Sequence, residues 1–415
     1  MKSFKFKWKC VVVLSLLLVG VGWCGAAEPG PPMRTLDTKY YTLHTDLDET
    51  AASALGRHMD IVFNAYVSLF ARYEGRMTSR FEARVFSSRA RYMEFLRVEF
   101  DVDGTGSAGM FISRGARSVI AAWGNPQRPA VMHEVLQHEG FHQFAHVLFP
   151  DLPVWANEGF AELFAIGSVV KDEFWVGDIP ETWLAQLHAA RRSDTLLPFR
   201  GFFTMGGHAW NHVVRVGDPS LNYTQAWSLV YFFLYAQDAR WQRQFLEFLE
   251  LINRGAEWES AFRQVFRVDD YALIQDEYLR WLQDARPVDL RAIIHELELL
   301  ATGMVWLHRQ GVHPTSLQSL WSQLHSRSYS FTSELFSATK QLKGGDGVLL
   351  ALPLGGGGAA PHIALADDRW NAYAGAVHGT SRPTRMRTVH LKPFNVFVEW
   401  TVPRSGPPSF RLWHD

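Results

Sequence analysis

Thiols are almost absent from this chain. Its 415 residues include two cysteines, Cys10 and Cys24, both within the first 24 positions. Past that point no thiolate can act as nucleophile or metal ligand, and no disulfide can staple the fold. A surplus of either charge is also lacking, with 41 basic against 42 acidic residues and a net charge of −1. No basic block or aromatic-interleaved basic stripe occurs, so nothing points to a nucleic-acid partner. Long apolar runs are confined to Cys10 through about Trp23, which is short for a bilayer span, and no second membrane segment follows.

That run has a setting of its own. Lys2, Lys5, Lys7 and Lys9 precede it, and Gly25-Ala26-Ala27 closes it before Glu28 and Pro29. A positive start, a short apolar middle and small residues at the exit are the layout of a secretory signal peptide over residues 1–27. Trp23 stands where a lipid-attachment motif wants a small residue, which argues against lipidation at Cys24. Removing the four leader lysines leaves 37 basic against 42 acidic residues, a net −5. Export without disulfides fits a periplasmic, cell-surface or secreted bacterial protein. With 47% hydrophobic residues, the rest can bury a large core in two or more lobes.

The pattern predicts an α+β chain. A small N-terminal α/β lobe over 28–125 begins with a strand at Tyr40–His44 and helix-starting side chains at Asp46–Glu49. An amphipathic helix from Ala51 to about Tyr73 follows, then a strand at Phe81–Phe86 and a helix from Ser88 to about Glu99. Residues 107–122 read as a hairpin turning at Arg114–Arg117. A mainly helical lobe spans 126–286. Its first helix stops near Phe149, because Pro150 and Pro153 cannot continue it, and its second runs from near Asn157 to about Val169. Later helices are expected at 180–193, 223–236, 239–253 and 270–283. A helical extension over 287–343, a glycine-rich linker over 344–361 and a β-rich region over 362–415 complete the chain. In the last, Asn395–Val402 alternates and Ser409–Trp413 can pair with it.

One stretch carries chemistry. Residues 138–142 read His-Glu-Gly-Phe-His. At 3.6 residues per turn, two imidazoles four apart share one helical face, where one zinc ion can accept both. After 15 intervening residues Glu158 opens a second acidic cluster, Asn157-Glu158-Gly159-Phe160-Ala161-Glu162. His138, His142 and Glu158 supply the three protein ligands of a catalytic zinc site, which keeps its fourth position for water. Glu139 is then the general base for that water. Glu162, four residues on, can accept the free N–H of a ligand histidine and fix its tautomer, with Asn157 a second supporting candidate. Tyr223, at the start of an apolar helix, is a candidate to stabilise an oxyanion or simply a packed tyrosine. His146 continues the histidine stripe without matching a ligand spacing. His133 is a supporting or surface residue, and His208 and His212 read as solvated or loop histidines.

With Trp155-Ala156 leading into Asn157–Glu162, the motif pair resembles the gluzincin branch of zinc peptidases. The more specific resemblance, over roughly residues 38–285, is to a little-characterised bacterial peptidase-MA-like family of unknown function. It is carried by Tyr40–Leu47, Gly109-Met110-Phe111, Leu152–Trp155, Asn222–Trp227 and Phe262–Leu282. The resemblance implies a zincin-like helical lobe with His138, His142 and Glu158 as zinc ligands and Glu139 as base. It also strengthens Tyr223 as the oxyanion donor. In that superfamily an edge strand binds extended peptide, which points to residues 108–112 and to Gly109, Met110 and Phe111 in particular. The aminopeptidase signature Gly-x-Met-Glu-Asn is absent, so no acid to grip a free N-terminus is evident.

The expectation is an exported zinc metallopeptidase acting on peptide or protein substrates, with no nucleic acid and no membrane span in the mature chain. Its rivals are a catalytically idle zinc-binding envelope protein acting as a binding module, and a zinc amidase on a non-peptide cell-wall bond. Cleavage preference and oligomeric state have no sequence signal.

Overall fold

The computed structural model describes residues 31–73, 79–115, 117–125, 128–216, 219–236, 240–267, 271–336, 338–345, 362–365, 384–389, 391, 393–401 and 409–415. The expected leader and most of the expected glycine-rich linker lie outside them. The chain divides into two units. One runs to Val176 and resumes over Thr182–Ala285; the other joins Gly177–Glu181 to Arg286–Asp415.

The first unit begins with β1 (Arg34–Asp37), β2 (Tyr41–Thr45) and α1 (Glu49–Leu69). The Asp48 side chain accepts from Ala51 N and caps α1. Next come β3 (Phe81–Phe86), α2 (Arg89–Phe95), a π-helical turn over Leu96–Phe100, β4 (Gly109–Arg114) and β5 (Arg117–Trp123). The sheet order is β1-β2-β3-β5-β4. Strands β2, β3 and β5 run parallel, while β1 and β4 are antiparallel edges. The hairpin expected at 107–122 is the β4–β5 pair, with Gly109 opposite Ala122 and Ile112 opposite Val119.

Helices then take over with α3 (Pro129–Leu148) and α4 (Val154–Ala165). A short hairpin follows, β6 (Ser168–Val170) with β7 (Glu173–Trp175), then α5 (Glu181–Arg192), α6 (Phe199–Phe203), α7 (Gly207–Val216), α8 (Pro219–Tyr235), α9 (Arg240–Asn253), α10 (Trp258–Phe266) and α11 (Ala272–Asp284). Two expectations change here. Helix α4 starts at Val154 rather than Asn157, because Pro153 sits in extended conformation at ψ 148° and serves as its N-cap. It ends at Ala165 rather than near Val169, where Gly167 packs against Phe174 and the chain enters β6. His208 and His212 lie on α7 and both are exposed, the solvated alternative of the expected pair of readings.

Helix α3 is buried on every side from Val135 to Ala145. Its back is an aromatic layer in which Phe141 stacks on Phe160 and Phe164, each with ring centroids 5.4 Å apart. Tyr66 of α1 and Phe70, the residue that caps it, close the same layer. Helix α4 lies against α8 at a point set by Gly159, where an added Cβ would fall 2.3 Å from the Ala226 carbonyl oxygen and 2.6 Å from a Val230 methyl. Only glycine permits that approach.

The second unit holds α12 (Leu290–Arg309), α13 (Leu317–Ser326), the hairpin β8 (Ser330–Ser333) with β9 (Lys340–Lys343), and β10 (His362–Leu365), β11 (Thr384–Val389), β12 (Val396–Thr401) and β13 (Ser409–His414). The last four form one antiparallel sheet in chain order. The expected pairing of the final two strands is present, with Val398 opposite Leu412. The helical reading of 287–343 fails after Ser326: Ser328 takes a left-handed turn at φ 51° and the β-prone Ser330–Ser333 pairs with Lys340–Lys343. The architecture is α+β with a small β-rich C-terminal region. Among the described residues no helix is long and apolar enough to cross a membrane.

Gly159→Ala is expected to cost about 1–3 kcal/mol by overpacking the α4–α8 contact, read as a lower urea midpoint at unchanged slope. Gly201→Ala, whose added Cβ meets nothing within 4 Å, is expected to leave the midpoint unchanged or raise it.

Candidate metal centre

The two motif histidines project from adjacent turns of α3, and Glu158 reaches them from the second turn of α4. The Nε2 atoms of His138 and His142 are 3.0 Å apart, and Glu158 Oε2 lies 3.6 Å from the first and 3.5 Å from the second. Donor atoms about 2.0–2.2 Å from a tetrahedral ion stand roughly 3.3–3.6 Å from one another; both carboxylate separations fall there, and the two ring nitrogens stand somewhat closer. His138, His142 and Glu158 are buried, and Glu158 has no exposed surface. Together they form a group that could hold a metal ion.

The electrostatics test the fit. Neither carboxylate oxygen of Glu158 meets a hydrogen-bond donor in good geometry, although both are buried. A buried anion in that condition is costly unless a cation stands beside it. Burial pushes the His138 pKa down, but Glu158 and Glu162 outweigh it and hold the imidazole well above its ordinary 6.5. Burial raises the Glu158 carboxyl, and the His142 and His138 rings outweigh that and draw it below the usual range. A site that attracts a proton this strongly suits a divalent cation in its place.

The supporting residues divide. Glu162 Oε1 lies 3.3 Å from His138 Nδ1, on the ring nitrogen turned away from the ligand cluster. That contact fixes which nitrogen is free to bind metal. Asn157 is half-buried on α4 and hydrogen-bonds neither ring, so the structure gives it no supporting role.

Glu139 sits beside the ligands without joining them. Its Oε2 accepts the Phe111 backbone N–H at 2.7 Å, and its buried Oε1 has no partner. Burial raises its carboxyl above 4.5, with His138, His142 and the Phe111 N–H partly offsetting. Strand β4, the sheet edge, therefore meets Glu139 through main chain. Gly109 is required there, since a Cβ would lie 2.3 Å from a Val135 methyl and 3.2 Å from Glu139 Cγ. Met110 turns the other way, buried in the cluster of Phe86, Tyr92 and Phe100, so its side chain does not face the site.

Tyr223, on the second turn of α8, has its ring centroid 6.3 Å from that of His138 and meets the Trp210 indole edge-on at 5.4 Å. Its buried hydroxyl has no hydrogen-bond partner in good geometry. Burial, then the charge of Glu158, raises the phenol well above 10, so it stays a donor. His146 stays out of the ligand group and pairs with Ser113 Oγ at 3.0 Å. His133 is no ligand either; it stacks on His58 at 3.7 Å, and burial pushes it down to about 4.

Sequence reasoning missed Gln143, directly after the motif. Its Nε2 donates to the Glu82 carbonyl at 3.1 Å and the Ser118 carbonyl at 3.2 Å, tying α3 to the sheet. Nothing in its local pattern separates it from an exposed glutamine; the signal lies in partners 61 and 25 residues away.

No family model matches the chain, and no curated protein matches it.

The protein is expected to bind one equivalent of divalent metal, and His138→Ala or Glu158→Gln to abolish stoichiometric binding, measured by dialysis and elemental analysis. Because the metal-free His138 holds its proton to unusually high pH, metal must displace that proton. Affinity should therefore rise up to about tenfold per pH unit while pH lies below the folded pKa, and level off above it. Chelator competition at several pH values reads the slope; a flat profile would contradict the assignment.

Proposed function

We propose that this chain is an exported zinc-dependent peptidase of gluzincin type, hydrolysing peptide bonds. The observation that carries the reading is Glu139: a buried carboxylate beside the His138–His142–Glu158 group, with one oxygen anchored and the other free. Two imidazoles and one carboxylate favour zinc, and the ion would acidify a water and polarise a substrate carbonyl when bound.

The protein's own groups supply the rest. Oε1 of Glu139 accepts the proton of the attacking water, and the raised pKa of this carboxyl brings it closer to its working range. The same carboxyl then delivers that proton to the leaving amine. Tyr223 keeps its phenolic proton and can donate to the developing oxyanion, since the neighbour of its hydroxyl, the Trp210 indole N–H, is itself a donor and leaves the phenolic hydrogen uncommitted. Glu162 holds the His138 ring by Nδ1. An extended peptide can add to the free edge of β4 at Gly109 and Phe111, gaining main-chain hydrogen bonds. That edge favours a peptide over a non-peptide amide, and the intact base favours an enzyme over an idle binding module. The leader at residues 1–27 supports export.

Glu139→Gln is expected to keep its metal and lose about 10²–10⁴-fold in kcat on a quenched-peptide library. Tyr223→Phe should lose roughly 10²–10³-fold in kcat with KM little changed. Equal turnover by wild type and Glu139→Gln would overturn the reading.

A further inference from the structure

We infer that Gln137, the residue immediately before His138, is a positioning residue that locks the two ligand-bearing helices together and thereby sets the affinity of the site for metal. The inference rests on the metal-binding half of the proposed function and not on the bond cleaved.

Gln137 is buried, and its carboxamide spans the gap between α3 and the end of α4. Its Nε2 donates to the carbonyls of Phe164 at 2.7 Å, Ala165 at 2.9 Å and Gly167 at 3.2 Å. The first two belong to the last turn of α4, where the helix runs out of its own i+4 donors; the Phe164 carbonyl also accepts the Gly167 N–H at 3.0 Å. A side chain from one helix thus caps the other. Glu158 and Glu162 stand on the turns just before that cap, so any slip of α4 along or away from α3 moves both carboxylates relative to His138.

The orientation of the carboxamide follows from its surroundings. An end facing three carbonyls must be the NH₂ end, so Oε1 faces His58 Nε2, 3.0 Å away, and accepts from it. His58 must then carry its proton on Nε2. The ring is held by its stack on His133, with centroids 3.7 Å apart and planes 12° from parallel. Burial first, then His133, pushes the His58 pKa down to about 3, which keeps the ring neutral and a single donor at ordinary pH. The Gln137 backbone is fixed as well, because Tyr66 Oη donates to its carbonyl at 2.6 Å. A chain of contacts therefore runs from His58 on α1 through Gln137 on α3 to the end of α4.

Gln143 provides the internal comparison. It is equally buried on the same helix, but its amide reaches the sheet carbonyls of Glu82 and Ser118 and does not touch α4. Loss of either glutamine removes hydrogen bonds from buried carbonyls. Of the two, only loss of Gln137 removes a hydrogen-bonded tie between the ligand-bearing helices, leaving their aromatic contacts through Phe141, Phe160 and Phe164.

The test uses the full chain, with zinc dissociation constants from competition against a chromogenic chelator and melting temperatures of the metal-free proteins. Gln137→Leu should weaken zinc binding about 10–100-fold, and Gln143→Leu should stay within about threefold of wild type. His58→Leu should weaken zinc measurably, and His58→Gln, which restores an N–H donor, should recover affinity. That second pair carries the test if Gln137→Leu fails to fold. Wild-type affinity in Gln137→Leu or in His58→Leu overturns the proposal. So does an equal loss in Gln143→Leu at matched metal-free melting temperature, which would mark a general loosening of α3. A wild type that binds no zinc overturns the metal reading itself, whereas zinc binding without peptide cleavage leaves the role of Gln137 standing.

Discussion

A carboxylate with no exposed surface, clasped by two imidazoles, is the constraint to which the rest of the first unit answers. Burying an ion costs several kcal/mol even after relaxation unless opposite charge stands beside it in good geometry. Glu158 meets that condition only if α3 and α4 hold a fixed separation, since a small slip would leave the anion stranded. The surrounding sequence supplies the fixity. Gly159, the next residue, lets α4 touch the main chain of α8, and Phe160 and Phe164 lock the opposite face of α4 into the aromatic layer behind Phe141. Preorganisation of this kind is what a site with few ligands requires, because loosely held ligands must be ordered at the expense of binding.

The same burial acts on a second carboxylate with the opposite result. Glu139 and Glu158 are both wholly buried, yet the Glu139 carboxyl is raised and the Glu158 carboxyl is lowered. Desolvation works on each in the same direction; the neighbours decide the outcome. Glu158 faces both ring nitrogens at about the same distance, whereas Glu139 accepts one backbone N–H and feels the rings from the side. Two carboxylates whose environments drive them apart can divide the work, the lower one staying an anion for a cation to bind and the higher one exchanging a proton.

How much of this the sequence disclosed depends on the distance over which each feature is written. The four-residue spacing of His138 and His142 is local, and it placed both on one face of a helix. The alternation at Phe81–Phe86 and over the final two strands was equally local. Glu158 was legible as a ligand because its acidic cluster follows a proline-marked break, although Pro153 turned out to begin α4 rather than merely precede it. Strand β1 escaped notice because it is short and mostly exposed, with no hydrophobic face to betray it. Helix α7 has no counterpart in the sequence reading, where His208 and His212 stand as solvated or loop histidines. Gln137 and Gln143 carry no local signal, for a buried glutamine on an all-buried helix looks like a solvent-facing one until its distant carbonyl partners are known. Strand parity separates the three β4 residues: adjacent residues face opposite sides, so Gly109 and Phe111 approach Glu139 while the Met110 side chain does not.

Strand parity also ties Glu139 to the sheet edge. Phe111 directs its N–H away from β5 and into Glu139, and Gly109, two residues earlier, packs its bare Cα against the Glu139 stem. Edge strand and Glu139 are therefore in direct contact, with no loop between them. A peptide paired along β4, as proposed above, would be placed relative to Glu139 by the same contacts that place Glu139 relative to His138 and His142. One amide of the edge is spent on the base, so pairing with substrate has to rely on the neighbouring outward groups of Gly109 and Ser113 and on the Phe111 carbonyl. The register of a bound chain is thereby restricted, because a shift by one residue would present groups already turned towards β5.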